Sequence, residues 1–139
     1  MPDLIEVLQV SRLSQHIFVV DDEVMITESL ALILSRAGFT VSSFTNPLEA
    51  LQRVEIARPD LLISDVMMPQ LSGIDLAIQI REMRPDCRVL LLSGQAATLD
   101  LLHAARKRGH DFLLLQKPVH PNDLLLEIDS LNASSSPVM

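Results

Sequence analysis

Five residues of this chain combine the types and placements that handle phosphate and a divalent cation: Asp21, Asp22, Asp65, Ser93 and Lys117. Four short apolar runs deliver them. Ile17-Phe18-Val19-Val20 leads into Asp21-Asp22, and Leu61-Leu62-Ile63-Ser64 leads into Asp65 and the breaker segment Val66-Met67-Met68-Pro69. Val89-Leu90-Leu91-Leu92 leads into Ser93-Gly94, and Phe112-Leu113-Leu114-Leu115 leads to Lys117-Pro118. A buried strand that ends on a bare carboxylate puts a nucleophile or a metal ligand at the rim of a sheet. Clustered carboxylates repel one another, so without a cation at least one should hold a raised pKa. Mg²⁺ takes oxygen ligands and keeps several waters, which suits an open site of two carboxylates plus a backbone carbonyl. A phosphoryl group entering such a site is shared by metal, lysine and hydroxyl, because phosphoryl transfer calls mainly for positioning and charge neutralisation.

Each residue also has a plainer account. Aspartate at a strand end often caps the following helix, which fits Asp22 taken singly. Asp65 would serve as a turn former before Pro69, and lysine is most often a surface residue. Ser93-Gly94 reads as an ordinary turn, although a small residue there also keeps the approach to Asp65 open. Taken together the plainer accounts require several unrelated caps and turns to land on one rim of one sheet. The four histidines, His16, His103, His110 and His120, show no ligand spacing and are expected to be surface or capping residues. Cys87 is expected in a loop or at a strand edge, without redox function.

The elements that position these residues alternate along the chain. Ile26, Leu30, Ile33, Leu34 and Ala37 fall at helical spacing and Gly38 supplies a stop. Val41 to Phe44 reads as a more polar strand suited to a sheet edge. Asn46-Pro47 is an N-cap followed by proline at the first helical position, and Ala50, Leu51 and Val54 continue one face. After the Asp65 strand and a loop through Ser72-Gly73, Leu76, Ala77, Ile80 and Met83 mark a third helix that ends before Pro85. A fourth helix is expected from Ala96 to Arg108, closed by Gly109, and Pro121 opens a last one carrying Leu124, Leu125, Ile128 and Leu131. Strands of unbroken Val, Ile, Leu and Phe imply burial on both faces, hence a parallel sheet with helices on each side. Right-handed crossovers make it doubly wound, and ligands of such sheets bind beyond the strand C-termini. The fold class is therefore α/β, with a five-stranded doubly wound parallel sheet.

Composition agrees. The chain has 139 residues, 48% of them apolar, with a positive mean hydropathy, four Phe and no Trp or Tyr. That length suits one domain burying roughly two-thirds of its unfolded surface. The net charge is −7, with 11 basic residues scattered among 18 acidic ones, so direct nucleic-acid binding is not expected. No apolar run approaches the roughly 18 residues of a membrane span, and no basic stretch precedes an apolar block at the N-terminus. The single cysteine suits a reducing compartment, so the expected location is cytoplasmic. Residues 1–15 are expected to form an N-terminal extension, whose apolar Leu4, Ile5, Val7, Leu8 and Val10 pack on the domain, residues 16–132 the domain itself, and residues 133–139 a flexible tail.

The chain resembles the receiver domain of bacterial two-component response regulators, chemotaxis-regulator-like, over about residues 15–132. The resemblance rests on Phe18-Val-Val-Asp-Asp-Glu23, Pro59-Asp-Leu-Leu-Ile-Ser-Asp-Val-Met-Met-Pro69 with Gly73, Leu92-Ser93-Gly94 and Lys117-Pro118, in that order. It implies a flavodoxin-like (βα)5 fold with strand order 2-1-3-4-5. It also implies that Asp65 accepts a phosphoryl group from a phosphohistidine of a sensor histidine kinase or histidine phosphotransfer protein. Asp21 and Asp22 would hold Mg²⁺ with the Asp65 carboxylate and the Met67 backbone carbonyl. Ser93 would bond a phosphoryl oxygen, Lys117 would pair with the phosphate, and Lys117-Pro118 would be cis. The protein would then be a signalling phosphoacceptor that catalyses only its own phosphorylation and dephosphorylation, and would act on a downstream protein, not on nucleic acid or membrane.

The chain departs from the family pattern near its last strand. Many members carry Tyr or Phe three residues before the lysine as a switch, and here that position is Leu114, with Phe112 the nearest aromatic. The segment from Gly109 to Lys117 is one residue longer than usual, so either a bulge re-aims Phe112 or no aromatic switch operates. Other readings fare worse. An aspartyl-phosphate phosphatase needs an acid where Met67 stands, and a flavin carrier would meet a repelling Asp-Asp-Glu loop. A phosphorylation-independent docking module leaves the acid triad without a use.

Overall fold

The computed structural model describes residues 3, 4, 12, 15–94 and 98–134. Strands β1 (His16–Val20), β2 (Thr40–Phe44), β3 (Leu61–Asp65), β4 (Arg88–Ser93) and β5 (Leu113–Gln116) alternate with helices α1 (Val24–Arg36), α2 (Pro47–Ala57), α3 (Gly73–Met83), α4 (Thr98–Lys107) and α5 (Pro121–Ser134). All neighbouring strands pair in parallel, and their order is β2-β1-β3-β4-β5. The first and third strands are neighbours at the centre, so the acids that follow them emerge side by side.

Within the unbroken apolar runs the pleat, not polarity, sorts the side chains, because successive residues of a strand point to opposite faces. Phe18, Val20, Leu62 and Leu91 pack with Ala50 and Val54 of α2, Ile74, Ala77 and Ile80 of α3, and Ala105 of α4. Ile17, Val19, Leu61, Ile63, Leu90 and Leu92 pack with Leu30 and Leu34 of α1 and Leu124 and Ile128 of α5. Two apolar cores flank one sheet, which is the doubly wound arrangement.

The helix ends follow the local chemistry. Asn46 accepts a hydrogen bond from the Leu48 amide at 2.9 Å, with Pro47 at the first helical position. Gly38 and Gly109 take φ of 107° and 90° after α1 and α4, a backbone that side chains other than glycine's resist.

Four expectations are corrected. Strand β5 is not buried on both faces: Leu113 is 47% exposed, because β5 stands at the edge of the sheet, where among the described residues it pairs with β4 alone. Met83 ends α3 in solvent although its spacing matches the buried face, the helix having run past the apolar surface it covers. His16 is neither a surface nor a capping residue. It opens β1 with its ring bonded at Nδ1 to the Ala57 carbonyl (2.9 Å) and at Nε2 to the Ser42 hydroxyl (2.8 Å). Helix α5 continues to Ser134, past the boundary expected at residue 132. The apolar stretch of the N-terminal extension from Ile5 to Val10, the start of the expected fourth helix at residues 96–97, and residues 135–139 lie outside the described residues. Within the extension, Arg12 is anchored to Asp129 of α5 at 2.7 Å and lies over the Phe39 ring.

Candidate functional site

Asp21 follows β1 directly, and its amide donates to the Phe44 carbonyl of β2 at 3.1 Å, which continues the β1–β2 ladder one step beyond the strand. This backbone bond carries the carboxylate into the rim, where it is only 1% exposed. Its Oδ1 accepts the Glu23 amide at 2.9 Å, and its Oδ2 accepts the Lys117 ammonium at 2.7 Å. The capping account of the acid pair therefore fails for α1: the N-cap is Glu23, whose side chain makes no capping bond. Asp22 is exposed and faces the cleft.

Asp65 is the last residue of β3, and its carboxylate receives Lys117 Nζ at 3.2 Å. Carboxylate oxygens of Asp21, Asp22 and Asp65 all lie within 4.8 Å of one another. Burial raises the Asp65 pKa; Lys117 opposes that rise, Asp21 and Asp22 reinforce it, and the net direction is up. For Lys117 burial works downward, but the hydrogen bond and charge of Asp21, with the charge of Asp65, outweigh it and hold the ammonium above its ordinary value. One cation is thus shared between two acids, with a third carboxylate beside them.

Ser93 closes β4, and its carbonyl accepts the Lys117 amide at 2.8 Å, so the residue that presents the hydroxyl also fixes the lysine's backbone. Lys117–Pro118 is a cis peptide bond. Asp22, Glu23, Asp65, Met67, Ser93, Gly94 and Lys117 line a cleft of about 380 Å³. Beside it an apolar groove of about 440 Å³ runs between α1 and the segment after β5, lined by Met25, Ile26, Leu30, Leu92 and Pro118 among others.

The cleft thus gathers Asp22, Asp65, Met67, Ser93, Gly94 and Lys117, with Asp21 bonded beneath them, and Pro118 borders the adjoining groove. Phe112 and Leu114 are not brought to it. The β4–β5 register runs without interruption from Leu90↔Leu113 to Ser93↔Gln116, so no bulge re-aims Phe112. Phe112 precedes the strand, buried, its ring stacked on His110 at 5.9 Å and covered by the Arg81 guanidinium at 4.9 Å. Leu114 packs against the core beneath α3 and α4.

Sequence reasoning missed Glu23 as a lining residue, although it directly extends the acid pair. It also left Ser64 without a role and gave Gly73 no more than a place in a motif. A Cβ on Gly73 would stand 2.0 Å from the Asp65 carbonyl oxygen, so only glycine fits where α3 begins.

A family model for the response regulator receiver domain matches residues 17–129. The chain belongs to the response regulator receiver domain family. This receiver is similar to the response regulator receiver protein CpdR of Brucella abortus, 31% identical over 117 residues that cover 84% of this chain and 96% of CpdR. It is 35% identical over 113 residues to the phosphoglycerate transport system transcriptional regulatory protein PgtA of Salmonella typhimurium, covering 81% of this chain but 27% of PgtA. Among solved structures, the response regulator protein TrrA of Thermotoga maritima, in complex with Mg(2+)-BeF, superposes with a TM-score of 0.73 at 30% identity, covering 84% of this chain and 98% of that one. The receiver reading and the 2-1-3-4-5 flavodoxin-like fold therefore stand, with a phosphoacceptor role in two-component signalling. The phosphorylation-independent docking alternative is not favoured. Receiver domains of this family interact with histidine kinases or phosphotransfer proteins and bind Mg²⁺ through an acidic pocket. No helix among the described residues is long and apolar enough to cross a membrane.

Proposed function

We propose that β1 through α5 act as one receiver unit in which Asp65 is the phosphoacceptor. The observation that carries this is convergence. A strand-end carboxylate lies 3.2 Å from an ammonium, within a triad of carboxylates, at the floor of an open cleft. The Asp65 oxygen attacks the phosphorus of a phosphohistidine; a P–O bond forms, the P–N bond breaks, and its electron pair returns to the imidazole. The three carboxylates are all-oxygen donors at an open cleft, which fits Mg²⁺, and the Met67 carbonyl would complete the set. Bound there, Mg²⁺ supplies neutralisation of phosphoryl charge. Lys117, released from part of its pairing with Asp65, turns to the phosphoryl oxygens, and the Ser93 hydroxyl bonds another.

The phosphodonor is a sensor histidine kinase or a histidine phosphotransfer protein. Self-catalysed phosphorylation and dephosphorylation, cytoplasmic location and output through a protein partner, not direct nucleic-acid or membrane contact, complete the reading. The net charge of −7 supports the last of these.

Intact-protein mass after incubation with acetyl phosphate, with and without Mg²⁺, tests it on wild type and Asp65→Asn. One phosphoryl increment that requires both Mg²⁺ and Asp65 is expected. An increment that survives Asp65→Asn unchanged, or absence of both the increment and Mg²⁺-dependent beryllofluoride binding, overturns the assignment.

A further inference from the structure

The approach of the β3–α3 loop to the cleft is anchored group by group. In the peptide joining Asp65 to Val66, the Val66 amide donates to the Leu92 carbonyl at 3.1 Å and the Asp65 carbonyl accepts the Ser64 hydroxyl at 2.9 Å. In the next peptide the Val66 carbonyl accepts the Gly73 amide at 2.8 Å. Met67 follows immediately and lines the cleft. Of these anchors, the Ser64 hydroxyl alone is a side chain and therefore open to substitution.

Ser64 is 0% exposed, in the position of β3 that points under the first residue of α3. A Cβ on Gly73 would come within 2.9 Å of its Oγ and 2.0 Å of the Asp65 carbonyl oxygen, so hydroxyl, carbonyl and glycine are in close contact. A hydroxyl buried so completely is held to one partner, and removing it leaves the Asp65 carbonyl without that donor.

We infer that Ser64 is a positioning residue: its hydroxyl locks the Asp65–Val66 peptide and so sets where the Met67 carbonyl and the Asp65 carboxylate meet the cation. The inference rests on the phosphoacceptor reading, since it assigns Ser64 a task in the same site. Groups that orient metal ligands typically change affinity 10- to 100-fold when lost, and a hydroxyl acting through one peptide belongs at the lower end of that range.

The test compares wild type, Ser64→Ala and Leu62→Val. Leu62 lies on the same strand and the same face but bonds nothing in the loop, so it controls for simple loss of core stability. Mg²⁺ affinity is read by calorimetry, since the chain has no Trp or Tyr to report by fluorescence. Amide exchange of residues 66–68 is followed in metal-free protein, and urea midpoints are measured for all three. Ser64→Ala is expected to weaken Mg²⁺ about tenfold and to speed exchange at 66–68, while Leu62→Val changes Mg²⁺ affinity less than twofold. Equal Mg²⁺ affinity in wild type and Ser64→Ala, or equal weakening by both variants, overturns the positioning role while leaving the metal site intact. Absence of Mg²⁺ binding by wild type overturns the metal reading itself, and the positioning role with it.

Discussion

Lys117 holds Asp21 more closely than it holds Asp65, at 2.7 Å against 3.2 Å. Asp21 is the more deeply buried acid, so the lysine is its principal counter-charge and a shared one for the phosphoacceptor. Replacing Lys117 by Met leaves a buried carboxylate opposite two others. Losing a partner from a fully buried pair costs about 3–5 kcal/mol, and from an exposed one under about 1 kcal/mol; this rim site lies between. Lys117→Met is therefore expected to lower metal-free stability by about 1–3 kcal/mol. Much of that loss should return on adding Mg²⁺, as read by urea unfolding with and without the ion.

The raised Asp65 pKa sets a direction with pH. A carboxyl whose folded pKa lies above its unfolded value of 3.8 contributes stability that is present below 3.8 and lost as pH rises through the folded value. At neutral pH the ionised Asp65 therefore works against the metal-free fold. Asp65→Asn is expected to stabilise metal-free protein at pH 7 by on the order of 1 kcal/mol, the scale of one like-charge contact at a partly wet site. The gain should shrink as pH falls toward 3.8, and Mg²⁺ should abolish it by stabilising wild type alone. Unfolding midpoints across pH check both statements; a gain that grows on acidification contradicts the direction.

Gly73→Ala forces a Cβ to within 2.0 Å of a backbone oxygen, which no side-chain rotation relieves. The loop or the start of α3 must move, at a cost of about 1–3 kcal/mol. Because the moved backbone is that of Asp65, phosphorylation by acetyl phosphate should slow as well. By contrast Gly94→Ala brings its Cβ no nearer than 3.9 Å to Lys117, and is expected to fold with wild-type stability.

Phe112 is a packing residue. Its ring lies under Arg81 and on His110, four residues before the end of β5, and is not among the residues that line the cleft. Phe112→Leu is expected to cost about 1 kcal/mol in urea unfolding and to leave the Mg²⁺-dependent phosphoryl increment unchanged. A phosphorylation rate that falls with wild-type stability would place the aromatic in the signalling path after all.

Much of this molecule was legible in the residues themselves. The apolar runs before Asp21, Asp65 and Ser93 are strands because β-branched and leucine-rich segments bounded by breakers bury well in a parallel sheet. Asn46-Pro47, Gly38 and Gly109 mark helix ends because their backbone chemistry is local. The five candidate chemical residues were legible for the same reason, since each stands where a run stops. What the residues could not convey is everything that depends on who faces whom. Asp21 and Asp22 are chemically identical, and only the Asp21–Phe44 ladder bond and the Lys117 contact decide which is buried. Phe112 and Leu113 read alike in the run, but the edge position of β5 exposes one and the Arg81–His110 stack buries the other. Ser64 and Gly73 are nine positions apart in sequence, and their shared contact with the Asp65 carbonyl arises only where α3 returns to the sheet. Local backbone preference and hydrophobic period are written residue by residue. Burial, charge pairing and close approach belong to pairs of residues that only the folded chain brings together.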